Sequence, residues 1–522
     1  MNLPPLYRPI TVDTGIRAAA NRTPRKTALR DGARSLTFAE LVDRIDRVAT
    51  GARDGLGLRP GDNAALLAGN CLEYIEIVCG LSCAGVAVAT PSPRLAAAEI
   101  AYILRDCGAR AVFVDAASAE AARDVAPTGV RVVVIGPEYD ALLASCVPSV
   151  TGSVQAEWDA FSIPYTSGTT GQPKGVVLSH RARPLLYMAM GIEYGCYSAA
   201  DHALATAPLC HGAGLAFALA PIFFGGTCDI LPRFKPDELL RTFAETRATN
   251  VFVVPTHLQA ILGLEQSVLD RYRGDHALRT IICNAAPLAE VTKLAVLDYF
   301  GDGLLHETYG STEVGIATNL RPEDQRRKQM CVGLPFPCTE VELRDEAGFQ
   351  VSPGEVGELF TRSPFLFNGY WGKPEETAKA FTDGQWVTAG DLARRDDEGF
   401  VYIVDRKKDM VISGGINIYP REVEEVLFAH PDIADVAVVG VPDAYWGEAL
   451  RAFVVPYPGR APNAAALEAH CRATLAGFKV PREFTTIDVL PRNPAGKVLK
   501  AALRARPLQT ETDGNLPRSV AP

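Results

Sequence analysis

One short segment of the chain concentrates the residue types that bind phosphate. Residues 165–180 read YTSGTTGQPKGVVLSH, with three glycines, a proline, a lysine and four small hydroxyl residues before an apolar run. Ordering such a loop costs conformational entropy, because glycine has the most backbone freedom to lose. Backbone N–H groups, hydroxyls and a lysine cation can together surround a polyphosphate. The segment therefore predicts a phosphate-binding loop.

The spacing within this loop excludes the two commonest nucleotide motifs. A P-loop has the pattern G-x-x-x-x-G-K-[ST], whereas here Gln172 and Pro173 separate the last loop glycine from the lysine, and a glycine follows. No G-x-G-x-x-G pattern lies at a strand-to-helix turn in this stretch. Neither a P-loop NTPase nor a dinucleotide-binding enzyme is indicated.

Four later segments carry polar residues suited to nucleotide chemistry. In order they are YGSTE (309–313), TAGD (388–391), DRKKDMVISGGINIYPREVE (405–424) and LPRNPAGKVLK (490–500). Together with the phosphate loop they resemble the ordered motifs of the adenylate-forming enzymes, which include acyl-CoA synthetases, firefly luciferase-like proteins and peptide-synthetase adenylation domains. The five motifs match in order, which makes the resemblance far more specific than any one of them.

The resemblance implies that the loop and the residues around it bind ATP. The residues implied are Thr166, Ser167, Gly168, Thr169, Thr170, Gly171, Lys174, Ala285, Ala286, Pro287, Tyr309, Gly310 and Ser311.

The same resemblance assigns roles to five side chains. The ring of Tyr309 would face the adenine, and Thr312 would donate to the α-phosphate. Glu313 is a hard oxygen ligand suited to Mg²⁺, which binds one or two carboxylates together with substrate phosphates. Asp391 would accept hydrogen bonds from the ribose hydroxyls. The planar guanidinium of Arg406 would donate hydrogen bonds to the same sugar or to the phosphate.

Lys497, in PRNPAGKVLK, is the implied catalytic cation, because in the family this lysine contacts the substrate carboxylate and the α-phosphate. A fixed positive charge there would stabilise two anionic partners as they approach. Lys408 lies where the family places a hinge, and Gly414 and Gly415 would let a pantetheine arm approach the backbone. These assignments imply an N-terminal domain of residues 1–406 and a C-terminal domain of residues 407–522.

Alternating short apolar runs and helical patterns position these residues. Strands are predicted at 109–115, 130–136, 249–255 and 278–284, and helices at 96–108 and 236–248. Such alternation indicates parallel sheets with helices on their faces. Residues 341–363 and 391–409 are richer in turns, which favours a small antiparallel barrel. We therefore expect an α/β fold with two parallel-type subdomains and a small β-barrel.

The last hundred residues form a separate pattern. A helix with a proline at its start is predicted at 419–431, strands at 435–441 and 450–456, and another helix at 465–477. This pattern predicts a small α+β domain at the C-terminus.

Composition narrows the function classes. With 522 residues the chain is expected to form more than one domain, and its net charge of −9 argues against nucleic-acid binding. No apolar run is long enough to predict a membrane span. The 12 cysteines form no C-x-x-C pair, and the N-terminus lacks the features of a secretory signal, so we expect a cytoplasmic protein. The sequence is compatible with a homodimer.

Four segments would line the acid pocket by family analogy: 207–227, 253–259, 283–288 and 313–318. They contain no arginine or lysine, which argues against a second carboxylate on the acid. No acidic residue occurs from 211 to 228, which argues against an amino acid. An aromatic or a medium-chain acid both remain open. His211 could contact the acid, form a pocket wall, or be a hydrogen-bonded core histidine.

The expected function is that of an ATP-dependent carboxylate–CoA ligase using ATP, Mg²⁺ and coenzyme A. It would form an acyl-adenylate and pyrophosphate, and then an acyl-CoA and AMP. Two alternatives keep the adenylate chemistry but pass the acyl group to a carrier-protein thiol or to a luciferase-like step. A third alternative is a nucleotide-binding protein without turnover.

Overall fold

Two compact units make up the chain in the computed structural model, residues 1–403 and residues 404–522. The structure describes residues 8–148, 156–166, 172–492 and 496–506.

Thirteen α-helices occur in the described part of the first unit. They are α1 (Val12–Arg22), α2 (Phe38–Thr50), α3 (Leu72–Cys83), α4 (Ala97–Asp106), α5 (Ala119–Val125), α6 (Pro137–Ala144), α7 (Ala182–Tyr194), α8 (Gly212–Phe223), α9 (Pro236–Thr246), α10 (Pro255–Leu262), α11 (Gln266–Tyr272), α12 (Glu290–Phe300) and α13 (Pro374–Ala380).

The strands of the first unit form three sheets. They are β1 (Thr27–Asp31), β2 (Arg34–Thr37), β3 (Asn63–Leu67), β4 (Ala87–Ala89), β5 (Ala109–Val114), β6 (Arg131–Val134), β7 (Ala160–Ile163), β8 (Tyr165–Thr166), β9 (Lys174–Ser179), β10 (His202–Ala205), β11 (Thr227–Ile230), β12 (Asn250–Val253), β13 (Thr280–Cys283), β14 (Leu305–Ser311), β15 (Gly315–Leu320), β16 (Leu334–Pro335), β17 (Glu340–Arg344), β18 (Gly357–Arg362), β19 (Gly369–Tyr370), β20 (Phe381–Thr382), β21 (Trp386–Arg395) and β22 (Val401–Arg406).

The largest sheet has nine strands in the order β16-β15-β14-β13-β12-β10-β11-β1-β2. Its centre, from β14 to β1, is parallel, and the pairs at both edges are antiparallel. The second sheet has the order β19-β9-β7-β4-β3-β5-β6, with β8 paired to β9, and is also parallel at its centre. Loops at the carboxyl ends of parallel strands are the usual place for ligands in such folds.

The turn-rich region forms the third sheet, with strand order β17-β18-β21-β20 and β22 paired to β21. The pairs β17–β18, β18–β21 and β20–β21 are antiparallel. Strand β22 runs through the boundary between the two units. The short antiparallel strands of this sheet account for the turn-rich sequence after residue 340.

The core of the first unit includes two helices that are buried on almost every side. Every residue of α3 except Glu73 is buried, and so is every residue of α8 from Gly214 to Phe223. The ring of Phe217 on α8 stacks on Phe252 of β12, with centroids 4.1 Å apart and planes 3° apart. A helix with apolar residues on every face must be surrounded by other parts of the protein, because none of its faces is suited to contact with water.

The second unit is a smaller α+β module. Its helices and strands are β23 (Val411–Ser413), β24 (Ile416–Ile418), α14 (Pro420–Phe428), β25 (Ile433–Asp443), β26 (Gly447–Pro456), α15 (Ala464–Arg472), β27 (Glu483–Thr486) and α16 (Lys500–Arg504). The sheet order is β24-β23-β26-β25, with β27 parallel to β26. The predicted α/β fold with a separate C-terminal α+β part is confirmed.

No helix in the described ranges is both long enough and apolar enough to cross a lipid bilayer.

Two buried histidines make the stability of the first unit sensitive to acid. Burial lowers the pKa of His180 and of His306 to about 4, against 6.5 for an exposed histidine. The amide of Asn319 donates to Nδ1 of His306, which fits a neutral ring. Between pH 6.5 and 4 the unfolded chain binds protons that the folded chain does not, so acidification favours unfolding.

We therefore expect the free energy of unfolding to fall as the pH is lowered from 6.5 to 4, by at most about 3 kcal/mol for each of these histidines. Urea unfolding at a series of pH values measures this dependence. A free energy of unfolding that stays constant between pH 7 and 4.5 would contradict it.

Candidate active site

The phosphate loop is the connection of a short hairpin. Strands β8 and β9 pair antiparallel, with Thr166 opposite Lys174, so both ends of the loop are fixed. A Cβ on Gly175 would lie 2.7 Å from Cγ2 of Ile163, and therefore only glycine fits where the strand begins. The remaining predicted loop residues, Ser167, Gly168, Thr169, Thr170 and Gly171, lie outside the described residues.

Lys174 links this loop to the YGSTE motif. Its ammonium group pairs with Glu376 and lies 5.2 Å from the ring centroid of Tyr370. The hydroxyl of Tyr370 donates to Oε1 of Glu313 at 3.2 Å. Burial, together with the Glu313 charge, raises the pKa of Tyr370, so this hydroxyl stays protonated. The cation of the loop and the carboxylate of YGSTE thus belong to one cluster.

A tight hairpin between β14 and β15 presents Thr312 and Glu313. A Cβ on Gly310 would lie 2.0 Å from the carbonyl oxygen of Gly315, so the two strands approach too closely for any side chain there. The hydroxyl of Ser311 donates to Oε2 of Glu313 at 3.0 Å. The side chain of Thr312 lies beside Gly212, whose Cβ position is 3.5 Å from Cγ2 of the threonine. The turn therefore holds both polar side chains in place.

Tyr309 and Asp391 are brought together from different sheets. The hydroxyl of Tyr309, on β14, donates to Oδ2 of Asp391, on β21. Asp391 is 5% exposed. A carboxylate offers about four acceptor positions, which is the chemistry needed to bind a diol. The two motifs implied for the base and the sugar thus meet in the structure.

The segment implied for further nucleotide contacts, Ala285 to Pro287, follows strand β13. This strand is parallel to β14, so the segment lies at the same edge of the sheet as Tyr309. Ala285 has φ of 78°. Left-handed backbone is unfavourable for residues with a Cβ and is typical of glycine. Such strain is often found at ligand-binding loops.

Replacing Ala285 with glycine is expected to stabilise the protein by about 0.5–1 kcal/mol, because glycine adopts this φ without strain. Ala286 has no positive φ, so the matched change Ala286→Gly should instead lower the free energy of unfolding. Chemical denaturation of both variants checks the pair. Equal losses of stability would show that the left-handed backbone at Ala285 stores no strain.

His211 directly precedes helix α8, as its N-cap residue. The preceding turn is fixed by Asn70, whose side chain accepts from the N–H of Leu209 and donates to the carbonyl of Ala207. His211 therefore lies at the start of the apolar helix, near Thr312. His257, by contrast, stacks on Phe234 with centroids 3.8 Å apart, and burial lowers its pKa to about 4.

In the second unit, Arg406 ends strand β22, and Lys408 lies in the turn that follows, which is tied to the rest of the unit. The carboxylate of Asp405 accepts from the backbone N–H groups of Arg406 and Arg421, at 2.7 and 3.0 Å. Arg504 on α16 donates to Asp409 at 2.6 Å. The turn that holds Lys408 is thus joined to the C-terminal helix.

Gly414 and Gly415 form the two-residue connection between β23 and β24. Both have positive φ, 56° and 80°, as a type I′ hairpin turn requires. The N–H of Gly414 donates to the carbonyl of Trp446, and a Cβ there would lie 2.8 Å from the indole ring. Glycine at 414 is therefore required both by the turn and by this packing.

Lys497 is exposed on a loop that is held at both ends. On one side, Arg492 donates to the carbonyl of Gly496 and to Asp435, both at 2.6 Å. On the other side, Lys500 pairs with Glu424 at 2.8 Å. Burial alone would lower the pKa of Lys500, but Glu424 and Asp405 raise it, so the ammonium stays charged. These ion pairs fix the backbone that presents Lys497.

The residues present suit a magnesium ion that is bound mainly by phosphates. The described residues contain no cluster of three or more His, Cys, Asp or Glu side chains that could hold a metal by themselves. Mg²⁺ needs only one or two carboxylates when substrate phosphates and water complete its octahedron. Glu313, oriented by Ser311 and Tyr370, offers one such carboxylate beside the loop lysine.

Tyr370, Glu376 and Asn70 position the site but were not predicted from the sequence. Tyr370 and Glu376 contact Lys174 across about 200 positions of the chain. Asn70 follows strand β3, and ligand-binding residues are common at the carboxyl ends of parallel strands. This position is the feature of the sequence that could have indicated Asn70.

Comparison with known proteins agrees with this geometry. The family model for AMP-binding enzymes matches residues 16–371, and the model for the AMP-binding enzyme C-terminal domain matches residues 422–497. A feruloyl-CoA synthase from Amycolatopsis sp. is 36% identical over 493 residues, covering 93% of this chain and 97% of the relative.

Two further relatives are similar over nearly their whole length. A 2-succinylbenzoate–CoA ligase from Geobacillus kaustophilus is 34% identical over 511 residues, covering 96% of this chain and 99% of the relative. The crystal structure of the anthranilate CoA ligase AuaEII in complex with anthranoyl-AMP has a TM-score of 0.88 at 27% identity, covering 96% of this chain and 98% of that one. With its motifs in order and both family models matched, the chain belongs to the AMP-binding enzyme family, as its resemblance to the adenylate-forming enzymes predicts.

Proposed function

We propose that this protein is an AMP-forming carboxylate–CoA ligase that acts on an acid with a largely apolar, preferably aromatic, body. The observation that carries the proposal is the meeting of three distant motifs around β14 and its turn. The phosphate loop contributes Lys174, YGSTE contributes Tyr309 and Glu313, and TAGD contributes Asp391. A site that joins a base-facing ring, a diol acceptor, a cation and a metal-binding carboxylate suits a nucleoside triphosphate.

The first half-reaction activates the acid. A carboxylate oxygen attacks the α-phosphorus of ATP, the bond to the bridging oxygen breaks, and pyrophosphate leaves. Asp391 would hold the ribose, Tyr309 would face the adenine, and Thr312 would donate to the α-phosphate. Mg²⁺ held by Glu313 would supply neutralisation of the phosphate charge when bound.

The second half-reaction transfers the acyl group. The thiolate of coenzyme A attacks the activated carbonyl and AMP leaves, because the adenylate has turned a poor leaving group into a good one. Gly414 and Gly415 would offer close backbone approach to the pantetheine arm. We assign the nucleotide and acid to residues 1–406, the catalytic Lys497 to residues 407–522, and the hinge to Lys408.

The shape of one pocket wall favours an aromatic acid over a medium-chain one. The start of α8 beside Thr312 consists of small residues, Gly212, Ala213 and Gly214. Small side chains leave flat space that a ring can fill.

A cytoplasmic location is part of the same proposal. The reaction draws on ATP and coenzyme A, and all twelve cysteines are free thiols, as is usual in a reducing compartment. The reaction needs one copy of the chain, so it does not require a homodimer.

The test is pyrophosphate release with a panel of aromatic, alicyclic and straight-chain acids, followed by addition of coenzyme A. We expect pyrophosphate to depend on the acid, and AMP and acyl-CoA to appear only when the free thiol is present. If AMP is released at the same rate with and without coenzyme A, the result indicates an enzyme that passes the acyl-adenylate to a different acceptor. If no acid in the panel releases pyrophosphate, the proposal is wrong.

A further inference from the structure

Asp106, the last residue of α4, accepts hydrogen bonds from three side chains. Its Oδ2 accepts from the hydroxyl of Tyr165 at 2.7 Å. Its Oδ1 accepts from the ammonium group of Lys373 at 3.1 Å and from the hydroxyl of Tyr102 at 3.2 Å. The side chain of Asp106 is 15% exposed and that of Lys373 is 22% exposed. These bonds are largely shielded from water, which makes them stronger than the same bonds at the surface.

The helix itself does not explain an acidic residue at this position. The C-terminus of a helix carries a partial negative charge, so a carboxylate there is electrostatically unfavourable, and aspartate is a weak helix former. Among the residues that the structure describes, the Asp106 carboxylate accepts only from side chains and from no backbone N–H group. The reason for an aspartate here therefore lies in the side chains that it joins.

Tyr165 connects Asp106 to the beginning of the phosphate loop. The backbone of Tyr165 pairs with Gly175 across the hairpin of β8 and β9. Its ring lies against the same glycine, since a Cβ on Gly175 would be 3.0 Å from Cζ of the tyrosine. Burial and the Asp106 carboxylate raise the pKa of Tyr165, so its hydroxyl remains a hydrogen-bond donor. A shift of this ring would therefore displace both strands of the hairpin.

Lys373 connects Asp106 to the segment that contacts the end of the same loop. It belongs to residues 370–376, which also contain the ring and the carboxylate that contact Lys174. A backbone N–H group of this segment donates to the carbonyl of Gly175 at 2.8 Å. The Asp106 carboxylate raises the pKa of Lys373, so the ammonium group keeps its charge. One carboxylate thus links the beginning of the loop to the residues that hold its end.

We propose that Asp106 is a positioning residue for nucleotide binding. Through Tyr165 and Lys373 it holds both ends of the phosphate loop, so that Lys174 meets the phosphates of ATP. The proposal rests on the proposed ligase function and deepens its nucleotide site. Asp106 lies in none of the five sequence motifs and acts through its partners, not by contact with the nucleotide. Its effect can still be large, because a displacement of about 1 Å in an active site can cost about 100-fold in rate.

Asp106→Asn tests the carboxylate with little change of shape. An amide replaces one acceptor oxygen by a donor group, so it cannot accept from Tyr165 with one end and from Lys373 with the other. We expect KM for ATP to rise about 10-fold and the rate of adenylation to fall about 10-fold. KM for the acid and for coenzyme A should change by less than about 2-fold, because the lost contacts lie at the phosphate loop.

Two hydroxyl deletions form a matched pair. Tyr165→Phe breaks the bond between Asp106 and the loop and should raise KM for ATP about 10-fold. Tyr102→Phe removes a bond to the same carboxylate from within α4 and should change this KM by less than about 2-fold, because the bonds to Tyr165 and Lys373 remain. Asp106→Asn combined with Tyr165→Phe should be no more than about 2-fold worse than Asp106→Asn alone, since both changes break one interaction. Fully additive losses would contradict a shared role.

Calorimetric titration with ATP and magnesium, in the absence of any acid, supplies a readout without turnover. The Kd for ATP should be about 10-fold higher in Asp106→Asn and in Tyr165→Phe than in the wild type. The Kd of Tyr102→Phe should match that of the wild type. Because Tyr165→Phe keeps the ring that packs on Gly175, this variant tests the inference even where Asp106→Asn fails to fold.

The outcomes separate this inference from the function on which it rests. If Asp106→Asn leaves KM for ATP unchanged, or raises KM for ATP, acid and coenzyme A alike, the inference is overturned and the ligase function stands. If no acid releases pyrophosphate, the ligase function fails, and an equal Kd for ATP in the wild type and Asp106→Asn would then reject the positioning role directly. If the wild type binds no ATP, both the function and the inference are overturned.

Discussion

Replacing Lys497 with alanine is expected to slow acyl-adenylate formation by about 1000-fold or more, in line with the loss of a fixed cation from a phosphoryl-transfer site. The loop that carries Lys497 is held by Arg492 on one side and by the Lys500–Glu424 pair on the other. Removing the side chain should therefore leave the backbone in place. Thioester formation from a supplied acyl-adenylate should be nearly unaffected, because no phosphoryl group moves in that step.

Two measurements separate these steps: acid-dependent exchange of pyrophosphate into ATP, and thiol-dependent release of AMP from synthetic acyl-adenylate. Arg472→Ala is a suitable control, since Arg472 lies on α15 of the same unit and pairs only with Glu468 at the surface among the described residues. It should leave both rates unchanged. Equal losses of both steps in Lys497→Ala would count against a role confined to adenylation.

Replacing Glu313 with glutamine is expected to lower the rate of adenylation by about 100-fold and to raise the Mg²⁺ concentration needed for half-maximal rate by about 10-fold. Glutamine keeps the shape of the side chain and still accepts a hydrogen bond, so the hairpin should survive. What it loses is the negative charge that a hard cation requires. The effect should therefore show mainly in the metal dependence.

A magnesium titration of the adenylation rate, repeated at saturating ATP, measures this change. Tyr370→Phe removes only the hydroxyl that donates to Glu313 and should cost less than about 10-fold. Glu245→Gln, at an exposed position of α9, should have no effect. An unaltered magnesium dependence in Glu313→Gln would show that this carboxylate acts only through its hydrogen bonds.

Much of the fold could be predicted because it depends on local patterns. The β-branched runs at 109–115 and 278–284 form the buried strands β5 and β13, and the proline at 420 begins α14 as its position indicates. The edge hairpin of β1 and β2 was not predicted, since its strands are short and partly exposed, and its place in the sheet depends on pairing with β11.

The candidate site was predicted less completely, because its contacts join distant parts of the chain. The motifs identify Lys174, Glu313 and Asp391, but nothing near Lys174 in the sequence predicts Tyr370 as the residue between it and Glu313. Gly310 illustrates a different limit. The resemblance implies a nucleotide contact there, whereas the structure adds a steric reason, since no side chain fits opposite Gly315.

The burial of helix α8 constrains how this protein could evolve a new substrate range. From Gly214 onward every residue of the helix is packed inside the unit, and a Cβ on Gly214 itself would lie 2.1 Å from the carbonyl oxygen of Pro208. Most mutations in this helix would therefore destabilise the fold and be removed by selection before they could change which acid the protein accepts. Diversification is left to the two positions at the start of the helix, Gly212 and Ala213, where one added carbon changes the space available without unfolding the protein.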